Sequence, residues 1–463
     1  MTAPELASKA LPPDAAPSAA SWRESLAVYL QRRVLIVMFL GFSSGLPLAL
    51  SGSTLLVWMR ESGVDLGTIG LFALVGTPYT LKFLWAPLVD ALHVPFFTHQ
   101  FGRRRGWLLF SQLLLIGAIL LLALADPAHS PAFVAFGALL VATMSSTQDI
   151  VVDAFRVESL PESEQAAGMA AYVAAYRIGM LASTAGALFL VSGYESTGIA
   201  RSSAWMWGYV TMAAMVLIGT VTALVATEPG QSARAEAATK TETAFARVIH
   251  AAWGAFSEFL TRKDAIAALT FVVLFKFTDA FSGTMTAPFV IDLGFSRNDY
   301  AAIVKGVGLA ATLIGGFAGG FVARRYSLAA SLWIGGVLQA VANLSFSWLA
   351  FVGVNQLALA VAITAENFTS AIGTVIFVAY LSALCQNPLH TATQYALLTA
   401  LSAVGRTYLS SGAGYVAKAT GWPLFFVICV VVAVPSLILL AHLQRRKHFV
   451  ALETPRVAND ESR

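Results

Sequence analysis

Within an apolar stretch near residues 132–155 the sequence places Gln148, Asp149, Asp153 and Arg156. Steps of four and three residues set the two aspartates and the arginine on one face of a helix, as a polar stripe through otherwise apolar sequence. Other apolar stretches carry Lys82, Arg177, Lys276, Asp279, Lys305, Glu366, Asn367 and Arg406. Each ionisable group inside a bilayer costs about 2.5–3.5 kcal/mol even on lenient insertion scales, so each is read first as functional. A carboxyl group whose surroundings alternate between apolar packing and a nearby cation can load and release a proton. Asp149 is assigned that role, with Asp153 and Arg177 as its proton-coupling partners. At 1.5 Å per residue Asp149 lies roughly 10 Å inside its span, and Arg177 sits at comparable depth on the next, so the two could pair in one state and part in another. A permanent structural ion pair is the alternative. Asp153 and Arg156 lie nearer the surface, where a gate contact with Asp90 or with Arg103, Arg104 and Arg105 competes with proton coupling. Lys305 and Glu366 share a depth and read as a structural pair.

Cations outnumber carboxylates within these stretches, and a buried excess of positive charge calls for an anionic solute bearing carboxylate or phosphate. The solute-binding set expected from this reasoning is Lys82, Gln148, Tyr79, Trp85, Tyr176, Lys276, Asp279, Glu366, Asn367 and Arg406. Tyr79, Trp85 and Tyr176, with Trp58 and Tyr172, could stack on sugar rings, although membrane-interface or packing roles are common for such residues.

The elements that hold these groups follow from composition. Hydrophobic residues make up 57% of the chain, charged residues 12%, and the mean hydropathy is +0.72. A soluble fold is therefore improbable. A bilayer crossing takes about 20 mostly apolar helical residues. Twelve such helices are predicted near 34–59, 67–90, 107–125, 132–155, 167–192, 204–226, 265–291, 298–323, 329–352, 356–384, 393–417 and 422–443. The expected organisation is a disordered tail over 1–30, a six-helix half over 31–226, a linker over 227–264, a second six-helix half over 265–443 and a tail over 444–463. The linker interleaves Trp253, Phe256 and Phe259 with Arg247, Glu258, Arg262 and Lys263, which reads as an interfacial helix. Residues 1–20 lack the pattern of a cleaved signal peptide. Cys385 and Cys429 have no metal-ligand spacing and read as small buried hydrophobes.

Arginines and lysines gather on one side: Arg32, Arg33, the 103–105 cluster, Arg262, Lys263, Arg324, Arg325 and residues 445–447. The other side carries little beyond Arg60, Arg201, Arg297 and Lys418. By the positive-inside rule both termini are cytoplasmic, which an even number of spans satisfies. The halves also resemble each other. Gly63-Val64-Asp65 follows the first span as Gly294-Phe295-Ser296 follows the seventh, and Gly179 and Gly186 match Gly405 and Gly412. Six plus six helices around a long loop is the major facilitator architecture. Asp90 and the 103–105 arginines look like that superfamily's span-two loop signature, expected to latch the halves on the cytoplasmic side. In the first span, the run from Gly41 to Leu50 contains two glycines and Pro47, which predicts a bendable, cavity-facing helix or a kink used for packing.

Four segments together resemble the AmpG muropeptide permeases of Gram-negative bacteria: Gly41 to Leu50, Tyr79 to Pro87, Gly102 to Trp107 and Ser146 to Ala154. The likeness continues through Tyr176 to Met180 and Ala392 to Arg406, so it spans essentially all twelve helices. It implies proton-driven import of N-acetylglucosaminyl-anhydro-N-acetylmuramic acid, with or without peptide, across a bacterial inner membrane. It maps the family's polar pair onto Gln148 and Asp149 and its buried lysine onto Lys82. The implied partners are an anionic amino-sugar peptide, protons and the lipid bilayer, with no cofactor, metal or nucleic acid, and a monomeric chain. Some family members carry extra C-terminal spans, whereas this chain ends soon after Leu443. Acetyl-CoA transporters share a similar Gln-Asp-Ile-x-x-Asp stretch, so a nucleotide-thioester carrier is a second reading and a muropeptide sensor a third. The sequence offers no nucleophile with a placed base, metal cluster or phosphate-cradling loop, which argues against an enzyme.

Overall fold

A computed structural model describes residues 27–229, 261, 264–385 and 391–453. The interfacial helix expected in the linker lies outside the described residues, as does nearly all of the N-terminal tail. Ten helices among the described residues are long and apolar enough to cross a bilayer. In chain order they are α1 (Arg32–Glu61), α3 (Arg103–Ala123), α4 (Pro131–Ser159), α5 (162–196), α6 (Arg201–Val225), α7 (Ala265–Asp292), α8 (297–325), α9 (Leu328–Val352), α10 (Gln356–Leu384) and α12 (Trp422–Arg445). Two further crossings, α2 (66–91) and α11 (391–420), are built from shorter helical pieces joined by tighter turns. Twelve crossings in two sets of six bear out the expected fold.

Each half begins and ends at one face of the membrane. Arg32 at the start of α1 donates to the Val225 carbonyl at the end of α6, and Arg446 beyond α12 meets Asp264 before α7. This face is the terminal end; the other is the far end. A short helix, α13 (His448–Glu453), follows α12 and packs on Tyr380 of α10, where a plain tail was expected.

Without water to drive association, helices in lipid gain from close backbone contact through small residues. Gly41 and Gly45 of α1 abut the backbones of Tyr172 and Tyr176 of α5, while Gly179 of α5 abuts the Phe42 carbonyl. In the second half a Cβ at Gly405 of α11 would lie 2.7 Å from the Val273 carbonyl of α7. Spans five and eleven thus use matched glycines against spans one and seven, the packing expected of a duplicated unit. The Gly41–Leu50 run is therefore a packing face; α1 stays helical through Pro47 and breaks later, at Gly52 (φ −104°, ψ −112°). Around that break Tyr209 donates to the Leu50 carbonyl and Thr54 to the Ser183 carbonyl, satisfying backbone groups that a bilayer could not. Gly63 and Gly294 both take positive φ after α1 and α7, and each precedes a side-chain cap, Asp65 on α2 and Ser296 on α8. The outward surface is apolar, with Phe317 83% exposed, as lipid contact requires.

Candidate functional site

Between the halves lies a cavity of about 590 Å³, lined from both halves near the middle of the membrane. Its ionisable lining residues are Arg177 of α5, Lys305 of α8, Glu366 of α10 and Arg406 of α11, joined by Tyr79 of α2 and Asn367 of α10. Asn367 donates to Glu366 Oε2 (2.8 Å) and accepts from Thr312 (3.2 Å). Lys305 stands over the Tyr300 ring, 5.4 Å from its centre, and forms no direct ion pair with Glu366.

Asp149 is buried in the first half and is not part of the cavity lining. Its neighbours are Ser44 of α1, Lys82 of α2 and Asp153 on its own helix, and its Oδ1 lacks a hydrogen-bond partner among the described residues. Gln148 Nε2 donates to Ser44 Oγ (3.3 Å). Asp149 and Arg177 are not paired in this state. Successive residues on a helix diverge by about 100°, so with Tyr172 and Tyr176 turned toward Asp149, Arg177 is carried into the cavity. Lys82 is the cation beside both Asp149 and Asp153. Tyr79 bridges the two regions, lining the cavity while lying beside Ser145 and Asp149. Trp85 does not reach the cavity; its indole donates to Thr147 (3.1 Å) and ties α2 to α4.

The second half holds its own polar network. Lys276 Nζ reaches Asp279 Oδ2 (3.3 Å) and Thr374 (2.8 Å), and Ser370 donates to Asp279 Oδ1 (2.7 Å). Lys276 and Asp279, expected at the solute, thus form an ion pair beside the cavity, within electrostatic range of Glu366.

Among the described residues, the arginine cluster engages the ends of α4 and α6 and Glu228 just beyond α6. Arg104 grips Glu158 at the end of α4 through two bonds (3.0 and 2.6 Å), and Arg103 approaches the same carboxylate at 3.5 Å. Arg105 donates to the Ala223 and Leu224 carbonyls of α6, and Glu228 caps the backbone N–H groups of Arg104 and Arg105. The expected gate partner Asp90 sits in α2, but its side chain lies outside the described residues. Arg156 is an electrostatic neighbour of Asp153, yet its Nε has no hydrogen-bond partner among the described residues.

Among the described residues, the hydrogen bonds and ion pairs joining the halves lie between the far end and mid-membrane. Arg297 at the start of α8 donates to Glu61 of α1 (2.6 Å) and Glu195 of α5 (2.7 Å), with its guanidinium 5.6 Å from the Trp205 ring centre. The Trp205 indole completes the cage by donating to Glu61 (3.2 Å). Arg60 pairs with Asp292, which also accepts from the Trp422 indole (3.1 Å). Beside these, Gly414 of α11 abuts the Leu66 carbonyl of α2, and a Cβ on Gly70 would lie 2.8 Å from the Gly414 nitrogen. On the rim, Lys418 reaches Asp65 (3.4 Å), whose carboxyl the Thr68 hydroxyl bond, with help from Lys418, holds below the ordinary carboxylate range. Sequence reasoning passed over this seal by counting Arg60 and Arg297 as sparse charges on a charge-poor side. The available signal was the carboxylates Glu61, Glu195 and Asp292 at the far ends of three spans on that same side.

The Major Facilitator Superfamily sequence model matches residues 35–409. The anhydromuropeptide permease of Escherichia coli K12 is 39% identical over 416 residues, covering 90% of this chain and 80% of the relative. The protein designated transporter AmpG 4 of Rickettsia felis is 34% identical over 90% of this chain and 98% of its own. Among solved structures, the nucleoside transporter NupG superposes with a TM-score of 0.66 at 13% identity, covering 91% of this chain and 100% of that one. A D-xylose–proton symporter superposes at 0.64 and 12% identity, covering 89% and 97%. Twelve crossings in two packed sixes around a central polar cavity, with these matches over nearly the whole chain, make the protein a multi-pass membrane transporter of the major facilitator superfamily, in its anhydromuropeptide permease (AmpG) family.

Proposed function

We propose that this chain is a proton-coupled secondary transporter. It carries anhydro-muropeptides, N-acetylglucosaminyl-anhydro-N-acetylmuramic acid with or without peptide, from periplasm to cytoplasm for cell-wall recycling. It resides in a bacterial inner membrane as a monomer with both termini cytoplasmic, so the terminal end faces the cytoplasm and the far end the periplasm. The observation that carries this reading is the central cavity: about 590 Å³, within the roughly 300–1,000 Å³ typical of small-molecule sites, with three cations facing one carboxylate. Such a lining suits an anionic solute with hydroxyl and amide groups. Asp149, buried beside Lys82 and connected to the cavity side through Tyr79, is the carboxylate proposed to carry the proton. Its link to the cavity thus runs through Tyr79 and Lys82 rather than Arg177.

The test is uptake of labelled anhydro-muropeptide into vesicles under an imposed inward proton gradient, comparing wild type with Asp149→Asn. Gradient-driven uptake is expected to vanish in the variant while counterflow exchange survives. Driven uptake left intact would move coupling to another carboxylate, and absence of uptake by the wild type would reject the muropeptide reading.

A further inference from the structure

Arg177 and Arg406 enter the cavity from opposite halves, and neither has an ion-pair partner among the described residues. The other cation of the lining, Lys305, is occupied by the Tyr300 ring and by its nearness to Glu366. Both are exposed within the cavity, where they stay charged and are available to meet an anionic group of the solute. The duplication relates their positions to within one helical turn. An offset of 226 residues takes Gly179 to Gly405 and Gly186 to Gly412, and it sets Arg406 opposite Met180, another cavity-lining residue one helical turn from Arg177. Each arginine stands 15 residues into its helix from the terminal end, counting from Glu162 and Thr391, a depth of about 22 Å. Both lie within electrostatic range of the Tyr176 hydroxyl.

We propose that Arg177 and Arg406 form a two-sided clamp for a carboxylate of the transported solute, one guanidinium from each half. A planar fork on each side suits a carboxylate better than an ammonium would. Because the two donors belong to different halves, a bound carboxylate bridges them, and the solute itself supplies a link between the halves in mid-membrane. The identity of that carboxylate rests on the muropeptide reading: it is the lactyl group of the peptide-free disaccharide or a carboxylate of the attached peptide.

The test uses full-length protein in proteoliposomes and counterflow of two pairs of labelled probes. One pair is the disaccharide and its lactyl methyl ester; the other is the tripeptide-bearing form and its fully amidated analogue. Wild type is expected to favour the free acid over the blocked form by at least about tenfold in at least one pair, the loss expected when charge-assisted hydrogen bonds go. The pair showing the preference identifies the carboxylate. Arg177→Gln and Arg406→Gln are each expected to raise KM for that acid by about tenfold or more and to leave the blocked form within about threefold, erasing the preference. Arg→Lys at either site should retain part of it. Equal handling of acid and blocked forms by wild type, which needs no variant to fold, overturns the clamp, as do Gln variants that keep the preference. If wild type exchanges none of the probes, the muropeptide reading falls and the clamp is judged by inorganic phosphate. Thermal stabilisation by phosphate that both Gln substitutions abolish sustains it, and its absence in wild type overturns it.

Discussion

Replacing Arg297 by Gln should unlock the far end. Arg297 is 7% exposed and holds two carboxylates from the other half, Glu61 and Glu195, over the Trp205 ring. Removing one partner from a buried charge network costs about 3–5 kcal/mol, chiefly because the remaining charges stay buried and unpaired. Here Arg297→Gln leaves Glu61 without its hydrogen-bonded cation and Glu195 with only the exposed Arg201 in the closed state, whereas opening the seal would hydrate both carboxylates. Nearly all the cost thus falls on the closed state, and 3 kcal/mol at about 1.4 kcal/mol per decade shifts the closed-to-open ratio by roughly a hundredfold. The assay places a single cysteine at Thr286→Cys, a cavity residue six positions before Asp292 on α7, in a background with Cys385→Ser and Cys429→Ala. A membrane-impermeant thiol reagent applied to vesicles that present the far end outward should label the Arg297→Gln form far faster than the parent. Equal rates, with both proteins folded, would refute the assignment of these charges as the lock.

Gly414→Val puts a side chain against the Leu66 carbonyl and should force α2 from α11, raising far-side labelling of Thr286→Cys with every charge of the seal intact; unchanged labelling would show that the glycine contact does not govern closure. Gly45→Ala drives a methyl into the Tyr176 carbonyl within one half, so it should lower thermal stability by about 1–3 kcal/mol and leave the labelling ratio of the folded protein unaltered. Burial holds the His448 imidazole below its ordinary pKa, with Asp264 opposing. Docking of α13 therefore favours neutral His448, is complete above about pH 6.5, and weakens as pH falls through the lowered value. Amide exchange over Phe449–Leu452, corrected for intrinsic rates, should quicken at pH 5.5 relative to pH 7.5, and His448→Phe should abolish that dependence.

Span number and position were legible because a bilayer demands long apolar runs, and nothing else in the sequence mimics them. Even α2 and α11, which the structure breaks into pieces, were found from their hydropathy. Side-chain partners were less accessible. Whether Tyr176 or Arg177 faces Asp149 turns on a single residue step, and no composition argument resolves a rotation of about 100°. The Gly41–Leu50 run was ambiguous because a glycine that weakens a helix is also one that lets a neighbour approach; Tyr172 and Tyr176 decide for packing. The 103–105 arginines were visible as a cluster, but their bonds to Glu158, Glu228 and the end of α6 depend on tertiary placement. Glu61, Glu195 and Asp292 were overlooked because a carboxylate at a span end is ordinary when taken alone; only the fold brings the three to Arg297 and Arg60.

The burial of Arg297 bears on how the transporter meets changing surroundings. At physiological ionic strength mobile ions screen exposed charges over about 8 Å, but they cannot enter a pair sheltered beneath stacked indoles. The Lys418–Asp65 bridge on the rim, with side chains 62% and 47% exposed, would fade in concentrated salt, while the Arg297 cage would not. The main lock of the far end is thereby insulated from the ionic strength of the solution that bathes it, and concentrated salt should remove only the small contribution of the rim bridge.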